Sequence, residues 1–359
     1  MGKLKLRSLD LFSGVGGNSL ALQSVLKTVA YCEIDPFARS VLGANMKNRR
    51  LEHAPIFPDV TKLKARDIPA LPDVITASFP CQDISIAGTG AGLSGARSGL
   101  VRHVLRLVDE FDRELSHSVS YVFFENSSHI RTHGLATLVA QLKRRKFACV
   151  WCDVSAADVG ARHIRRRWFM LATRAGAARA PAATVFKHNF GALDAVPRLV
   201  RTAGPDASAD SAAGSSRVAT RKDSRLRIGA LGNAVVPTAV SVAWNRLQSA
   251  DVAPGAPTAA RDLGGGTRPA PTWAALKYDN GRQVREYWPT PVHHPRHWYP
   301  TNRLDGRYFN TFGTRVFHEA GTMRAFRYTD VIAARSRLML NPVWVETLMG
   351  FPKGWTVAA

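Results

Sequence analysis

LPDVITASFPCQ, Leu71 to Gln82, joins an apolar run to a cysteine-bearing turn. Leu71 to Ala77 reads as a short buried strand, because its apolar residues are bounded by proline on one side and a turn on the other. Pro80 stiffens the chain just ahead of Cys81, and the glycine-rich GTGAGLSG follows as a loop. In an open α/β sheet, ligands meet the carboxyl ends of strands, so a thiol there is well placed to meet one. A lone cysteine is more often a small buried thiol. The neighbouring stretches argue against that reading here.

Upstream, RSLDLFSGVGGNSLALQSVL opens as a strand, Leu6 to Leu11, and breaks at Gly14, Gly16 and Gly17. It resumes as a helix with apolar residues at Leu20, Leu22, Val25 and Leu26, for which Asn18 or Ser19 would be the cap. Such a turn arrays backbone N–H groups around the polar end of a ligand. The next strand, TVAYCEIDP, ends near Glu33, roughly 20 residues after the turn, the spacing at which an acid meets a ribose hydroxyl pair. FPDV places a further acid, Asp59, at another loop. Strand and helix then alternate through GLVRHVLRLVDEF, YVFFENSS, ATLVAQLKRRKF, ACVWCDV and RRRWFMLAT. This pattern predicts an α/β fold with a doubly wound, Rossmann-like sheet. Glu125 and Asn126 end an apolar strand, as Cys81 nearly does, so thiol and carboxylate face one crevice. His163, Arg165 and Arg167 alternate, which puts them on one face if extended; a charged, solvated edge strand would look the same.

The 359 residues suffice for one large domain and a smaller one. With 49 Lys+Arg against 27 Asp+Glu, the net charge of +22 points to a polyanionic partner, most often nucleic acid. There is no apolar run long enough to span a bilayer and no secretory segment at the start, so a cytoplasmic protein without a membrane partner is expected. Cys149 and Cys152 form a C-x-x-C, but no second pair completes a zinc site, and no metal is expected. Both sulfurs are expected as strand packing.

Beyond residue 173 the composition shifts. The expected organisation is an α/β unit over 1–173, then a largely coreless linker or insertion over 174–227. Order resumes with a Gly-Asn turn and an apolar helix over 228–250. Residues 251–337 form a smaller, irregular second domain, and 338–359 a helix packed between domains, capped by Asn341 with Pro342 at its first position. Within 251–337, Trp273, Tyr287, Trp288, Trp298 and Tyr299 interleave with Arg282, Arg285, Arg296 and Arg303. Aromatics supply the core of a small module, and arginines supply contacts to phosphates and base edges.

Taken together, these stretches resemble the cytosine-5 DNA methyltransferase family. LDLFSGVGG resembles its cofactor motif, SFPCQ its Pro-Cys-Gln nucleophile motif and FFENSS its Glu-Asn-Val motif. HIRRR resembles its Gln-x-Arg-x-Arg motif, and GNAVVP its late Gly-Asn motif. The resemblance implies methyl transfer from S-adenosylmethionine to carbon 5 of a cytosine flipped out of double-stranded DNA. It implies Cys81 as nucleophile, with Pro80 and Asn126 ordering its loop. Glu125 would hold a proton at ring nitrogen 3, with Arg165 at the base and the acid and Arg167 in support. For the cofactor it implies Phe12, Ser13, Gly14, Gly16, Glu33, Ile34, Asp59, Pro80 and Asn233. For DNA it implies Gln82, Ser85, Arg97 and His163, with 88–99 as a closing loop and 251–337 as the target-recognition domain. A monomer, encoded by a bacterium or phage and serving restriction-modification or phage DNA protection, is the corresponding setting.

The sequence departs from the family in three ways. Ser127 stands where valine is usual, and His163 where glutamine is usual. The Gly-Asn motif precedes the aromatic region, and the tail ETLMGFP resembles a family helix that normally comes before that motif. This order leaves 174–227 open as an alternative recognition region, although it has few aromatics with which to build a core. A tRNA cytosine-5 methyltransferase of the same fold and an inactive DNA-binding relative are the alternative functions; intact Cys81, Glu125 and Arg165 argue against the second.

Overall fold

The computed structural model describes residues 4–80, 98–196, 199–201, 221–250, 260–265, 276–279, 282–285 and 338–358. Cys81, Gln82, Ser85, Arg97 and most of the aromatic-rich region lie outside the described residues.

The chain runs β1 (Leu6–Leu11), α1 (Gly17–Leu22), β2 (Leu26–Cys32), α2 (Pro36–Lys47), β3 (Ile56–Phe57), β4 (Val74–Ala77), α3 (Val101–Glu114) and β5 (Tyr121–Asn126). It continues through α4 (Ile130–His133), α5 (Leu135–Arg144), β6 (Phe147–Ser155), β7 (Arg166–Arg174), β8 (Leu199–Arg201), α6 (Arg221–Asn233) and α7 (Pro237–Ser249). The last elements are β9 (Ala260–Gly265), the hairpin β10 (Leu276–Asp279) and β11 (Arg282–Arg285), β12 (Leu338–Leu340) and α8 (Pro342–Leu348). The main sheet has the order β3-β2-β1-β4-β5-β7-β6-β9. Pairings from β3 across to β5 are parallel, β7 is antiparallel to both β5 and β6, and β9 joins β6 in parallel. This is the mixed, Rossmann-like α/β sheet that the alternation predicted.

Alternation along the strands builds two cores. Tyr121 and Phe123 face one side with α1, α2, α7 and α8. Val122 and Phe124 face the other with α3 and α5. In α3, Val101, Val104, Leu105, Val108 and Phe111 recur at helical spacing and are all buried. Cys149 and Cys152 lie fully buried in β6, where burial pushes both thiols up to about 12, in keeping with a packing role.

Four local expectations are revised. Helix α1 stops at Leu22, because Leu26 pairs with Leu6 as the start of β2. Its N-cap is Gly16, with neither Asn18 nor Ser19 capping, because both side chains are used inside the fold. The stretch expected to be coreless packs over 175–196: Ala183 exchanges hydrogen bonds with Asn245, Trp244 Nε1 donates to Pro181 O, and Phe190 and Leu193 are buried. Residues 260–265, expected beyond the α/β unit, form its edge strand, fixed by Arg131 on Asp262 and by Arg246 Nη2 donating to Leu263 O.

The tail closes over the glycine turn. Asn341 caps α8 by accepting from Val343 N, with Pro342 in the first turn, as its sequence predicts. Buried Glu346 accepts from Arg227 Nη2 at 3.0 Å, Gly354 N at 2.7 Å and Thr356 N at 2.8 Å, so its charge is fully compensated. Trp355 Nε1 donates to Val15 O at 2.7 Å, and Asn45 Nδ2 donates to Trp355 O at 2.9 Å. A Cβ on Gly17 would lie 2.5 Å from Val235 Cγ2 and 3.4 Å from Phe351 Cζ. Gly17→Ala should therefore destabilise the protein by about 1–3 kcal/mol, the usual cost of overpacking a filled core. Urea denaturation of the variant and wild type measures this; an unchanged midpoint would mean the tail and the 234–236 turn move aside freely.

Candidate active site

The strand order reverses between β1 and β4, and the carboxyl ends of these two strands open a crevice. The glycine turn leaves β1 there. Phe12, Gly14 and Gly16 have φ of 56°, 54° and 84°, a left-handed run that glycine favours and Phe12 adopts at some strain. Ser13 fixes the turn: its N–H donates to Cys32 O at 3.1 Å and its hydroxyl to Asp10 O at 2.6 Å. Glu33, at the end of β2, accepts from Gly14 N at 2.7 Å and Asp35 N at 2.8 Å. Burial raises its carboxyl above the usual range, although those donors oppose the shift. Ile34 beside it is 73% exposed. Asp59 accepts from the backbone N–H and hydroxyl of Thr61, which hold its carboxyl below the usual range. Asn233 is exposed at the end of α6, just before the turn that rests on Gly17.

The second arm leaves β4 as Ser78-Phe79-Pro80 and leads to Cys81. Ser78 N donates to Leu11 O at 3.3 Å. Phe79 is buried against Phe124, edge-on at 6.0 Å. Asn126 Nδ2 donates to Phe79 O at 3.0 Å, and Asn126 Oδ1 accepts from Ser127 N at 2.7 Å. The geometry thus ties the end of β5 to the residue before Pro80.

The third arm approaches through β7, which lies antiparallel to β5. Glu125 is 7% exposed, and Arg167 Nε lies 3.1 Å from its Oε1. Arg165 is buried, and its Nη1 donates to Gly232 O at 3.0 Å, linking this arm to the Gly-Asn turn. His163, Arg165 and Arg167 do share one side of the chain, but His163 and Arg165 are buried just ahead of β7 and Arg167 is half-buried at its start, so this is no solvated edge. Ile164 and Arg166 take the exposed side instead. His163, expected at the DNA, is 0% exposed, and burial and neighbouring Arg165 push its pKa down to about 3.

Sequence reasoning missed the floor of the crevice. Asp10 is fully buried and accepts from Thr76 Oγ1 at 2.6 Å and Ser19 Oγ at 2.8 Å; Ser19 also contacts Thr28 Oγ1 at 3.0 Å. Its signal was present: an aspartate inside the apolar strand LDLF is costly unless it is hydrogen-bonded. A fully buried carboxylate with three strand and helix hydroxyls around it joins β1, α1, β4 and β2 at the switch point.

A sequence model of the C-5 cytosine-specific DNA methylase family matches residues 6–242, and the chain belongs to that family. Among curated relatives, the Type II methyltransferase M.CviJI of Paramecium bursaria Chlorella virus IL3A is 36% identical over 172 residues, 48% of this chain and 44% of that protein. The Type II methyltransferase M2.BsuMI of Bacillus subtilis (strain 168) is 31% identical over 173 residues, 47% of this chain and 42% of that protein. Among solved structures, the Entamoeba histolytica methyltransferase EhMeth aligns with a TM-score of 0.42 at 18% identity, over 52% of this chain and 56% of that one. The chain spans about half the length of the curated relatives it matches.

Burial raises the Asp10 carboxyl from 3.8 to about 6. The native carboxyl holds its proton more tightly than the unfolded one, so its stabilising contribution is complete below about pH 3.8 and is lost as pH rises through about 6. Asp10→Asn removes this dependence. Between about pH 4 and pH 7, wild-type stability should fall by roughly 2–3 kcal/mol relative to the variant. Urea denaturation across that range reads it; parallel curves would show Asp10 titrating as an ordinary aspartate.

Proposed function

We propose that the protein is a DNA (cytosine-5-)-methyltransferase that takes its methyl group from S-adenosylmethionine. The reading is carried by one convergence. The glycine turn, the Ser78–Pro80 segment that leads to Cys81, and the Glu125–Arg167 pair meet at the carboxyl ends of β1, β4 and β5. The family and the Type II methyltransferase relatives support the same chemistry.

The crevice residues fit the cofactor. The space a Cβ would occupy on Gly14 is empty within 4 Å, so the turn presents open backbone. Phe12 and exposed Ile34 offer apolar faces for a purine, Ser13 holds the turn, and Gly16 completes it. Glu33 would hold ribose hydroxyls, Asp59 an exocyclic amine, and Pro80 and Asn233 the methionine end. When bound, the cofactor supplies an electrophilic methyl group on a sulfonium.

Carbon 5 of neutral cytosine is a poor nucleophile, so the protein must first make the ring electron-rich. The Cys81 thiolate forms a bond to carbon 6, and the displaced electron pair moves toward carbon 5 and ring nitrogen 3. Glu125 holds a proton at nitrogen 3 and limits the charge that develops there. Arg167 orients that carboxyl and Arg165 lines the same pocket, while Asn126 fixes the Phe79 carbonyl. After methyl transfer, water takes the carbon 5 proton, and that electron pair re-forms the carbon 5–carbon 6 double bond as the Cys81 sulfur–carbon bond breaks and the thiolate is regenerated. A cytosine inside a duplex cannot reach these groups, so the base is flipped into the crevice. Gln82, Ser85 and Arg97 are the proposed DNA contacts beside it, and 251–337 the proposed recognition region. Protection of bacterial or phage DNA, with the enzyme acting as a monomer in the cytoplasm, is the corresponding role.

Cys81→Ser should abolish transfer of tritiated methyl to DNA while leaving cofactor affinity within about 3-fold, and Glu125→Gln should slow transfer by about two to four orders of magnitude. Wild-type incorporation by Cys81→Ser would sink the nucleophile assignment, and a loss of only a few-fold in Glu125→Gln would make that residue structural. Removing 272–328 should destroy site-specific methylation and spare cofactor binding, whereas shortening 202–220 should leave the methylated sequence unchanged. The opposite pattern would place recognition in the wrong part of the chain.

A further inference from the structure

Asn18 has no role in the account so far, yet its setting is costly. It is 4% exposed in the first turn of α1, whose N-cap makes no side-chain hydrogen bond. Its amide nitrogen donates to Ser78 Oγ at 3.0 Å. Its carbonyl oxygen is buried with no hydrogen-bond partner among the described residues. An unmet buried acceptor costs about 1–3 kcal/mol, which an apolar side chain of the same size avoids. Stability alone therefore does not account for an asparagine here.

The contact it makes spans the two arms of the site. α1 leaves the glycine turn directly, and Ser78 begins the segment that leads to Cys81. Asn126 holds the next residue, Phe79, by its carbonyl from the side of the acid. Two asparagine amides thus grip adjacent residues, one from the cofactor turn and one from Glu125's strand. Asp10 supports the first grip from below through Ser19 on α1 and Thr76 on β4.

We propose that Asn18 is a positioning residue: its hydrogen bond to Ser78 sets the Ser78–Pro80 segment against the glycine turn, so that the turn's conformation and the placement of the following residue, Cys81, are set together. This rests on the proposed role of Cys81. A displacement of about 1 Å at a reacting group costs on the order of 100-fold in rate, so a single lost tether has a measurable effect.

The test is a cycle of Asn18→Leu, Ser78→Ala and the double variant, with Ser78→Thr as the conservative replacement. Melting temperature, kcat and KM on DNA, and the rate of Cys81 alkylation by iodoacetamide with and without S-adenosylhomocysteine are measured. Asn18→Leu should keep the wild-type melting temperature within a few degrees. Its kcat should fall about 10- to 100-fold, with KM for S-adenosylmethionine changed by less than about 3-fold. Ser78→Ala should show the same loss, the double variant no more than either single one, and Ser78→Thr should retain most of the activity. The homocysteine analogue should alter Cys81 alkylation in wild type and lose that effect in Asn18→Leu and Ser78→Ala alike. A kcat within about 2-fold of wild type for Asn18→Leu, or losses that multiply in the double variant, would overturn the proposal. If wild type transfers no methyl group, the functional reading fails by itself; the alkylation cycle still decides whether Asn18 and Ser78 act as one unit.

Discussion

Gly17 lies hard against Val235 and Phe351. A methyl group has no room there, with Val235 Cγ2 already 2.5 Å from the position a Cβ would take. Three distant parts of the chain meet at this point: the turn after β1, the turn between α6 and α7, and the tail after α8. Trp355 closes the contact by donating to Val15 O. The backbone of the glycine turn is therefore clamped from behind, which leaves its open side, at Gly14, facing the crevice. A turn with three residues at positive φ is costly to hold, and this clamp adds to the hydrogen bonds of Ser13 and Glu33 that fix it from within.

This clamp joins parts of the chain that lie far apart in the sequence. The Gly-Asn turn and the tail helix act through where they pack, and neither contact depends on which comes first. The long segment between them leaves and returns on the catalytic body. β9 leaves it along β6, with Arg131 spanning Asp153 and Asp262, and β12 returns by pairing with β8. An insertion anchored at both ends in this way leaves the sheet and its crevice intact.

Much of this was legible in the sequence, because the strands advertise themselves. LDLF, VITA and YVFFEN are apolar runs ended by glycine, proline or a polar turn, and each became a buried strand. Asn341 and Pro342 marked the start of α8 correctly, since capping is a local effect. What failed was long-range. Ser19 and Asn18 look like caps by local chemistry, but Asp10 and Ser78 claim their side chains from other strands. The alanine-rich stretch after β7 looks coreless because its burial comes from Asn245, Ser241 and Trp244 on α7, which bond its backbone. His163 reads as part of a charged face, yet it lies buried just ahead of β7. At the site, the residue types pointed to Glu125, Asn126 and the arginines, while the Arg167–Glu125 pairing and the Asp10 floor emerged only from packing.

The central claim is that this crevice methylates carbon 5 of cytosine in DNA at a defined sequence. Bisulfite sequencing of DNA from cells expressing the wild-type protein, set beside cells expressing Cys81→Ser, tests it most directly. The account predicts cytosines protected from conversion within one short sequence context, and only in the wild-type cells. Full conversion in both, with protected cytosines found in tRNA from the wild-type cells instead, would contradict it.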